Sequence, residues 1–196
     1  MPLVRIDTIG RDAQLGLWQM TEAVDDYVRP DHVDLTAFHT SFRLQEKLME
    51  YSLLRAMTGR NDMVVHHEAS GKPVLDGWNI SISHTRGWGA VALSPSQGVA
   101  VDIEYYSDRV RKVVPRFIRP DEMVTSLDAQ LINWSAKETA YKLLSEEDLQ
   151  YFEMRLQPFE AADHGLVVVE DLKHTKLLTV HYEINPNYVL TWATEK

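Results

Sequence analysis

Gly98-Val99-Ala100-Val101-Asp102-Ile103-Glu104 reads as a single strand, and the texture of the chain changes on either side of it. Upstream, short strand-like runs (residues 63–67, 79–85 and 90–93) are separated by Gly71-Lys72-Pro73, Arg86-Gly87 and Ser94-Pro95-Ser96, which are turn residues. Before them, Phe42, Leu44, Leu48, Tyr51, Leu54 and Met57 recur at helical spacing between Thr40 and Gly59, where a glycine just past the last apolar residue stops a helix. One or two short strands open the chain, Leu15-Gly16-Leu17-Trp18-Gln19-Met20 being the clearer. Downstream, helical texture returns over residues 120–144, and strands follow at 165–170, 176–183 and 188–193. The expectation is an α+β protein of two similar halves, 1–100 and 101–196.

The chain has 196 residues, 44% of them hydrophobic and 25% charged, which is enough apolar material for a packed core. Twenty Lys and Arg against 29 Asp and Glu give a net charge of −9, the wrong sign for a general nucleic-acid binder. There is no cysteine, which excludes disulfides, thiolate metal sites and cysteine nucleophiles. No run approaches the roughly 18 apolar residues of a membrane span. Met1-Pro2-Leu3-Val4-Arg5-Ile6-Asp7 carries charge where a secretion signal needs an apolar run, so a cytoplasmic location is expected. No low-complexity segment or short-period repeat is present.

The strand at 98–104 also carries chemistry. Residues two apart on a strand share a face, so Asp102 and Glu104 set two carboxylates side by side. They repel unless a cation lies between them, and hard oxygen ligands suit Mg²⁺; an acidic pair at a solvated strand end is the plainer reading. In Trp134-Ser135-Ala136-Lys137-Glu138-Thr139-Ala140-Tyr141-Lys142, Ser135, Glu138 and Lys142 share one helix face, although Glu138 and Lys142 alone are an ordinary i, i+4 pair. Asn79-Ile80-Ser81-Ile82-Ser83-His84-Thr85 would turn Ile80 and Ile82 to the core. Its hydroxyls would then lie on the other face, with His84 at the strand end, able to meet phosphate oxygens or simply to be structural. Two patterns are decoys. Gly87-Trp88-Gly89-Ala90-Val91-Ala92 fits a dinucleotide-binding pattern but leads into a strand rather than the helix a pyrophosphate needs. His66-His67-Glu68 lacks the i, i+4 spacing of a helical zinc site and reads as a strand end.

Taken together and in order, Gly71-Lys72-Pro73, Ser81-Ile82-Ser83-His84-Thr85, Val101-Asp102-Ile103-Glu104, Arg116-Phe117-Ile118 with Glu122, and Trp134-Ser135-Ala136-Lys137-Glu138 with Lys142 resemble the 4′-phosphopantetheinyl transferases. The likeness is to the larger pseudo-dimeric, surfactin-synthetase-activating type. It is carried by residues 71–142 and extends more loosely from residue 40 to the C-terminus. It implies two similar α/β halves related by pseudo-two-fold symmetry, with an active site in the cleft between them and a monomeric chain. The implied reaction moves 4′-phosphopantetheine from coenzyme A to a serine of an apo carrier protein and releases adenosine 3′,5′-bisphosphate, as a holo-[acyl-carrier-protein] synthase does.

Carried over residue by residue, the resemblance implies that Asp102, Glu104 and Glu138 hold Mg²⁺ and that Glu138 takes the serine proton, directly or through a water. Lys142 would neutralise charge on the phosphates. Ser83 and His84 would contact a coenzyme A phosphate, Lys72 and Pro73 would border the adenine, and Lys137 would lie on the coenzyme side with a less defined role. Trp134 is expected to pack rather than to bind. Relatives place further basic residues on and before the first long helix; here Arg29, Arg43, Lys47 and Arg55 are the candidates, with no clean match in spacing.

Arg109, Arg111, Lys112, Arg116 and Arg119 form a local basic run on an acidic chain. Carrier proteins are typically acidic, so this run, Arg109, Arg111, Lys112 and Arg116 above all, is expected to be part of their docking face; a merely solvated basic face is the alternative. Two other functions remain open: a non-catalytic coenzyme A or carrier-binding module, and a different Mg²⁺-dependent phosphotransferase, the latter lowered by the lack of a P-loop or kinase signature.

Overall fold

The structure, a computed structural model, describes residues 2–195. Met1 and Lys196, at the outer ends of the two expected halves, lie outside the described residues. The chain is a mixed α+β protein whose elements run in the order β1 (Leu3–Thr8), β2 (Gln14–Gln19), α1 (Ser41–Thr58), β3 (His66–His67), β4 (Pro73–Val74), β5 (Asn79–Thr85), β6 (Trp88–Ser94), β7 (Val99–Tyr105), α2 (Leu127–Leu143), β8 (Met154–Leu156), β9 (His164–Asp171), β10 (Lys176–Ile184) and β11 (Tyr188–Thr194). It separates into two compact units, one running to Val99 and the other covering Ala100–Glu195. Among the described residues no helix is long and apolar enough to cross a membrane.

In the first unit four strands form a sheet in the order β1-β2-β6-β5, with antiparallel neighbours throughout. Helix α1 starts where the Thr40 side chain accepts the Arg43 N–H and stops at Gly59, whose left-handed backbone (φ 70°) lets its N–H reach the Arg55 carbonyl. Leu48, Met49, Leu53 and Leu54 of α1 are buried with Trp18, Ile80, Val91 and Leu93. The strand expected over 63–67 shrinks to His66–His67, paired with β4. Met63 and Val65 are buried in the core without joining a ladder, because the Tyr51 hydroxyl, not a strand, accepts the Val65 N–H. The dinucleotide-like Gly87 makes the tight β5–β6 turn (φ 76°), and a strand follows it.

The helix approaches this sheet closely at Gly89. A Cβ built there would lie 2.1 Å from the Met49 methyl, and Met49 is fully buried. Gly89→Ala is therefore expected to cost about 1–3 kcal/mol through overpacking. The loss should be read as a lower urea midpoint at unchanged slope; an unchanged midpoint would mean that the Met49 side chain can simply step aside.

In the second unit five strands follow the order β7-β11-β10-β9-β8. Helix α2, opened by Ser126 capping the Ala129 N–H, begins seven residues after Pro120, later than the expected helical stretch. Leu131, Ile132, Ala136 and Ala140 pack it against Val167, Val169, Val180, Val189 and Ala193 of the sheet. The basic run between β7 and α2 forms two short 3-10 turns, anchored to the core by Val110 and Phe117.

Candidate functional site

Strand alternation and helix periodicity bring four of the expected residues together in the second unit. Asp102 and Glu104 leave the face of β7 that meets α2. Ser135, Glu138 and Lys142 lie along one face of α2, three and four residues apart. Asp102 is buried. Its Oδ1 accepts from Lys142 Nζ at 2.8 Å and its Oδ2 accepts from Ser135 Oγ at 2.8 Å. Lys142 also donates to the Val101 carbonyl at 2.9 Å. Behind Ser135, hydroxyl contacts continue to Thr191 (2.9 Å) and from Thr191 to Thr139 (2.6 Å), and these lock α2 to β11.

Two aromatic donors meet the other carboxylates. Trp134 Nε1 donates to Glu104 Oε1 at 2.7 Å, and the Tyr151 hydroxyl donates to Glu138 Oε1 at 2.5 Å. Neither Glu104 Oε2 nor Glu138 Oε2 has a hydrogen-bond partner among the described residues. Burial, then the Asp102 charge, pushes the Glu104 carboxyl up to about 7, against the pull of the Trp134 N–H. Burial also raises Glu138. Repulsion from Asp102 adds to this, while the Tyr151 hydroxyl and Lys142 oppose it. The three acids therefore feel one another, and each raised group can trade its proton for a cation.

Carboxylate oxygens are the donor type that Mg²⁺ takes, but those of Asp102, Glu104 and Glu138 do not all lie within 4.8 Å of one another. Among the described residues that closeness belongs to Glu147, Asp171 and His174, a cluster outside the sequence reading. That cluster is already paired within itself. His174 Nδ1 lies 2.9 Å from Glu147 Oε2 and 3.0 Å from Asp171 Oδ2, and Lys176 pairs with Glu147. Asp171 Oδ1 accepts the Lys173 and His174 N–H groups at the turn between β9 and β10.

Lys137 corrects an expectation. Read as a coenzyme contact, it is instead fully buried on the opposite side of α2 from Lys142. There it donates to the Phe117 carbonyl at 2.7 Å and to Glu122 Oε2 at 2.8 Å. Glu122, for which the sequence offered no role, is its counter-ion and also accepts from the Arg119 and Leu156 N–H groups and from Asn133. Trp134 packs, as expected, edge-on to Phe117 at 4.9 Å, but it also makes the polar bond to Glu104.

In the first unit His84 closes β5. Its Nδ1 lies 2.9 Å from Oε1 of Glu46, a buried acid of α1 whose Oε2 accepts from Arg43 at 2.9 Å. Ser83 is buried, so the hydroxyl side of β5 is not an open face. Lys72 is exposed beside Gly71 (φ 88°) and forms no ion pair among the described residues; Pro73 follows it in β4. Of the four other basic candidates, Arg43 and Lys47 are paired with Glu46 and Glu50. Arg29, which pairs with Asp25 at 3.4 Å, and Arg55 line one cavity of about 170 Å³ with His32, Tyr51 and Arg60. Glu46 and Arg60 were legible only as ordinary helix-surface and loop charges.

Arg109, Arg111, Lys112 and Arg116 are exposed and make no ion pair among the described residues. Arg119 leaves the basic face, because it is tied to Asp121 at 2.9 Å and to the Phe152 carbonyl. The chain matches no known family model, and no curated protein matches it.

Proposed function

We propose that this protein is a Mg²⁺-dependent 4′-phosphopantetheinyl transferase that modifies a serine of an acidic apo carrier protein with the phosphopantetheine arm of coenzyme A. One observation carries the reading. Asp102 and Glu104 from one strand and Glu138 from a helix more than thirty residues later lie near a single ammonium, Lys142, which bonds to Asp102 alone of the three. When all are ionised, three carboxylates against one ammonium leave two negative charges in a half-buried site, the charge of one divalent cation. The reading includes a duplicated fold, with one long capped helix on an antiparallel sheet in each unit.

In the proposed reaction the serine oxygen attacks the phosphorus that bears the pantetheine arm. A new P–O bond forms as the pyrophosphate P–O bond breaks, and adenosine 3′,5′-bisphosphate leaves. Asp102, Glu104 and Glu138 would hold Mg²⁺, which would supply charge neutralisation at the pyrophosphate. Glu138 takes the serine proton, directly or through a water. Lys142 moves from Asp102 to the departing phosphate. Lys72 and Pro73 border the adenine, and His84, oriented by Glu46, meets a coenzyme phosphate, while buried Ser83 supports the strand rather than the ligand. Arg109, Arg111, Lys112 and Arg116 receive the acidic carrier. The protein acts as a monomer in the cytoplasm.

A second reading, a non-catalytic coenzyme A or carrier-binding module, is favoured by one feature: Asp102 is already satisfied by Lys142 and Ser135. Intact-mass spectrometry of an apo carrier incubated with the protein, coenzyme A and Mg²⁺ separates the two. The expected result is a gain of one phosphopantetheine, absent without metal and with Glu138→Gln. Coenzyme binding with no mass gain on several carriers would favour the module, and no coenzyme binding at all would sink the transferase reading.

A further inference from the structure

Tyr151 lies outside every motif of the sequence, yet it makes the closest polar contact to Glu138. Its ring stands against that of Trp134, centroids 5.2 Å apart with planes inclined by 36°. Trp134 in turn rests edge-on against fully buried Phe117. The pair therefore forms one packed unit fixed to the core, and each ring sends one N–H or O–H to a different carboxylate, Glu104 and Glu138.

An indole N–H can only donate, so Trp134 holds Glu104 through an oxygen that must accept. Tyr151 does the same for Glu138. In both residues the donor engages Oε1 and leaves Oε2 without a partner among the described residues. A packed indole N–H and phenol need some acceptor, and both of these rings take an acid rather than a backbone carbonyl. Two acids kept half-buried beside Asp102 would be a cost to folding with no return.

We propose that Trp134 and Tyr151 are a positioning pair, an aromatic clamp that holds Glu104 and Glu138 by one oxygen each and leaves the second oxygen of each for a divalent cation. This rests on the reading of Asp102, Glu104 and Glu138 as the cation site. The two rings touch substrate and cation nowhere in this role and act through the carboxylates. Removing such a partner behind a metal ligand typically weakens metal affinity 10–100-fold. Because the two rings brace each other, the effects of removing both polar ends are expected to be coupled rather than additive.

The test uses Mn²⁺ as the probe and follows the loss of the free-ion paramagnetic resonance signal on titration into the full chain. Wild type, Tyr151→Phe, Trp134→Phe, the double variant and Glu138→Gln are compared, each first shown to melt cooperatively. Tyr151→Phe keeps the ring and loses only the hydroxyl, so it remains informative even if Trp134→Phe packs poorly. The expected result is one tight wild-type site, nearly lost in Glu138→Gln and weakened about 10–100-fold in Tyr151→Phe. The double variant should be little worse than the weaker single one. Wild-type affinity in both single variants, alongside loss in Glu138→Gln, would overturn the clamp and leave the cation site standing. No binding by wild type would overturn both.

Discussion

Glu122→Gln is expected to destabilise the protein by about 3–5 kcal/mol, the range for removing one partner of a buried ion pair. The side chains of Glu122 and Lys137 are both fully buried, so no water takes over a lost contact. Glu122 Oε2 accepts from Lys137 Nζ and the Arg119 N–H, and Oε1 accepts from Asn133 Nδ2 and the Leu156 N–H. A glutamine must turn its NH₂ toward one of these donor pairs, which sets donor against donor and leaves Lys137 without a counter-charge. Burial already lowers the Lys137 pKa, and without the carboxylate its charged form loses its main support. Lys137→Met should be milder, because Glu122 keeps three N–H donors. The double variant should recover part of the Glu122→Gln loss. Urea denaturation of the three variants checks the ranking; strict additivity, or a Glu122→Gln midpoint equal to wild type, would show that the pair is not a coupled unit.

The same lysine shows what the sequence made legible and what it did not. The bounds of helix α1 could be read almost to the residue, since its stop depends on Gly59, but its buried face takes in Glu46 and Glu50 and leaves Phe42 exposed. That Asp102 and Glu104 share a face followed from strand alternation alone, and that Ser135, Glu138 and Lys142 share one followed from helical spacing. Each of these readings uses information within about ten residues. Lys137 sits in the same motif, but its fate depends on Glu122, fifteen residues away, and on the Phe117 carbonyl. A lysine with a buried counter-ion and a lysine facing solvent look alike in a sequence. Tyr151 was invisible for the same reason. It follows α2 in a short 3-10 turn without periodicity, and only the path of the chain brings its hydroxyl back to Glu138. Glu46 resembled one half of an i, i+3 helix pair with Arg43, and its second partner, His84, lies on a strand nearly forty residues on.

Asp102→Asn should lower phosphopantetheine transfer on the order of 10²–10⁴-fold. Charge stabilisation by a bound metal is worth several kcal/mol, and each 1.36 kcal/mol is a factor of ten. The fold should survive, because the new amide oxygen can accept from Lys142 while its NH₂ donates to Ser135, whose hydroxyl can turn to accept. A second effect needs no carrier protein or coenzyme. The Asp102 charge helps push the Glu104 carboxyl up from 4.5 to about 7, so its removal must lower that midpoint, while burial keeps it above the ordinary value. The sign for stability follows. Between 4.5 and about 7 the native protein holds a proton on Glu104 that the unfolded chain has released, so stability falls as pH rises through that window. Asp102→Asn should narrow the window and flatten the fall. Carboxyl carbon shifts of Glu104 against pH measure the first effect and urea midpoints at pH 5 and pH 7 (roughly the two ends of the window) the second. An unmoved Glu104 midpoint would show that the acids are electrostatically independent and would count against a shared cation.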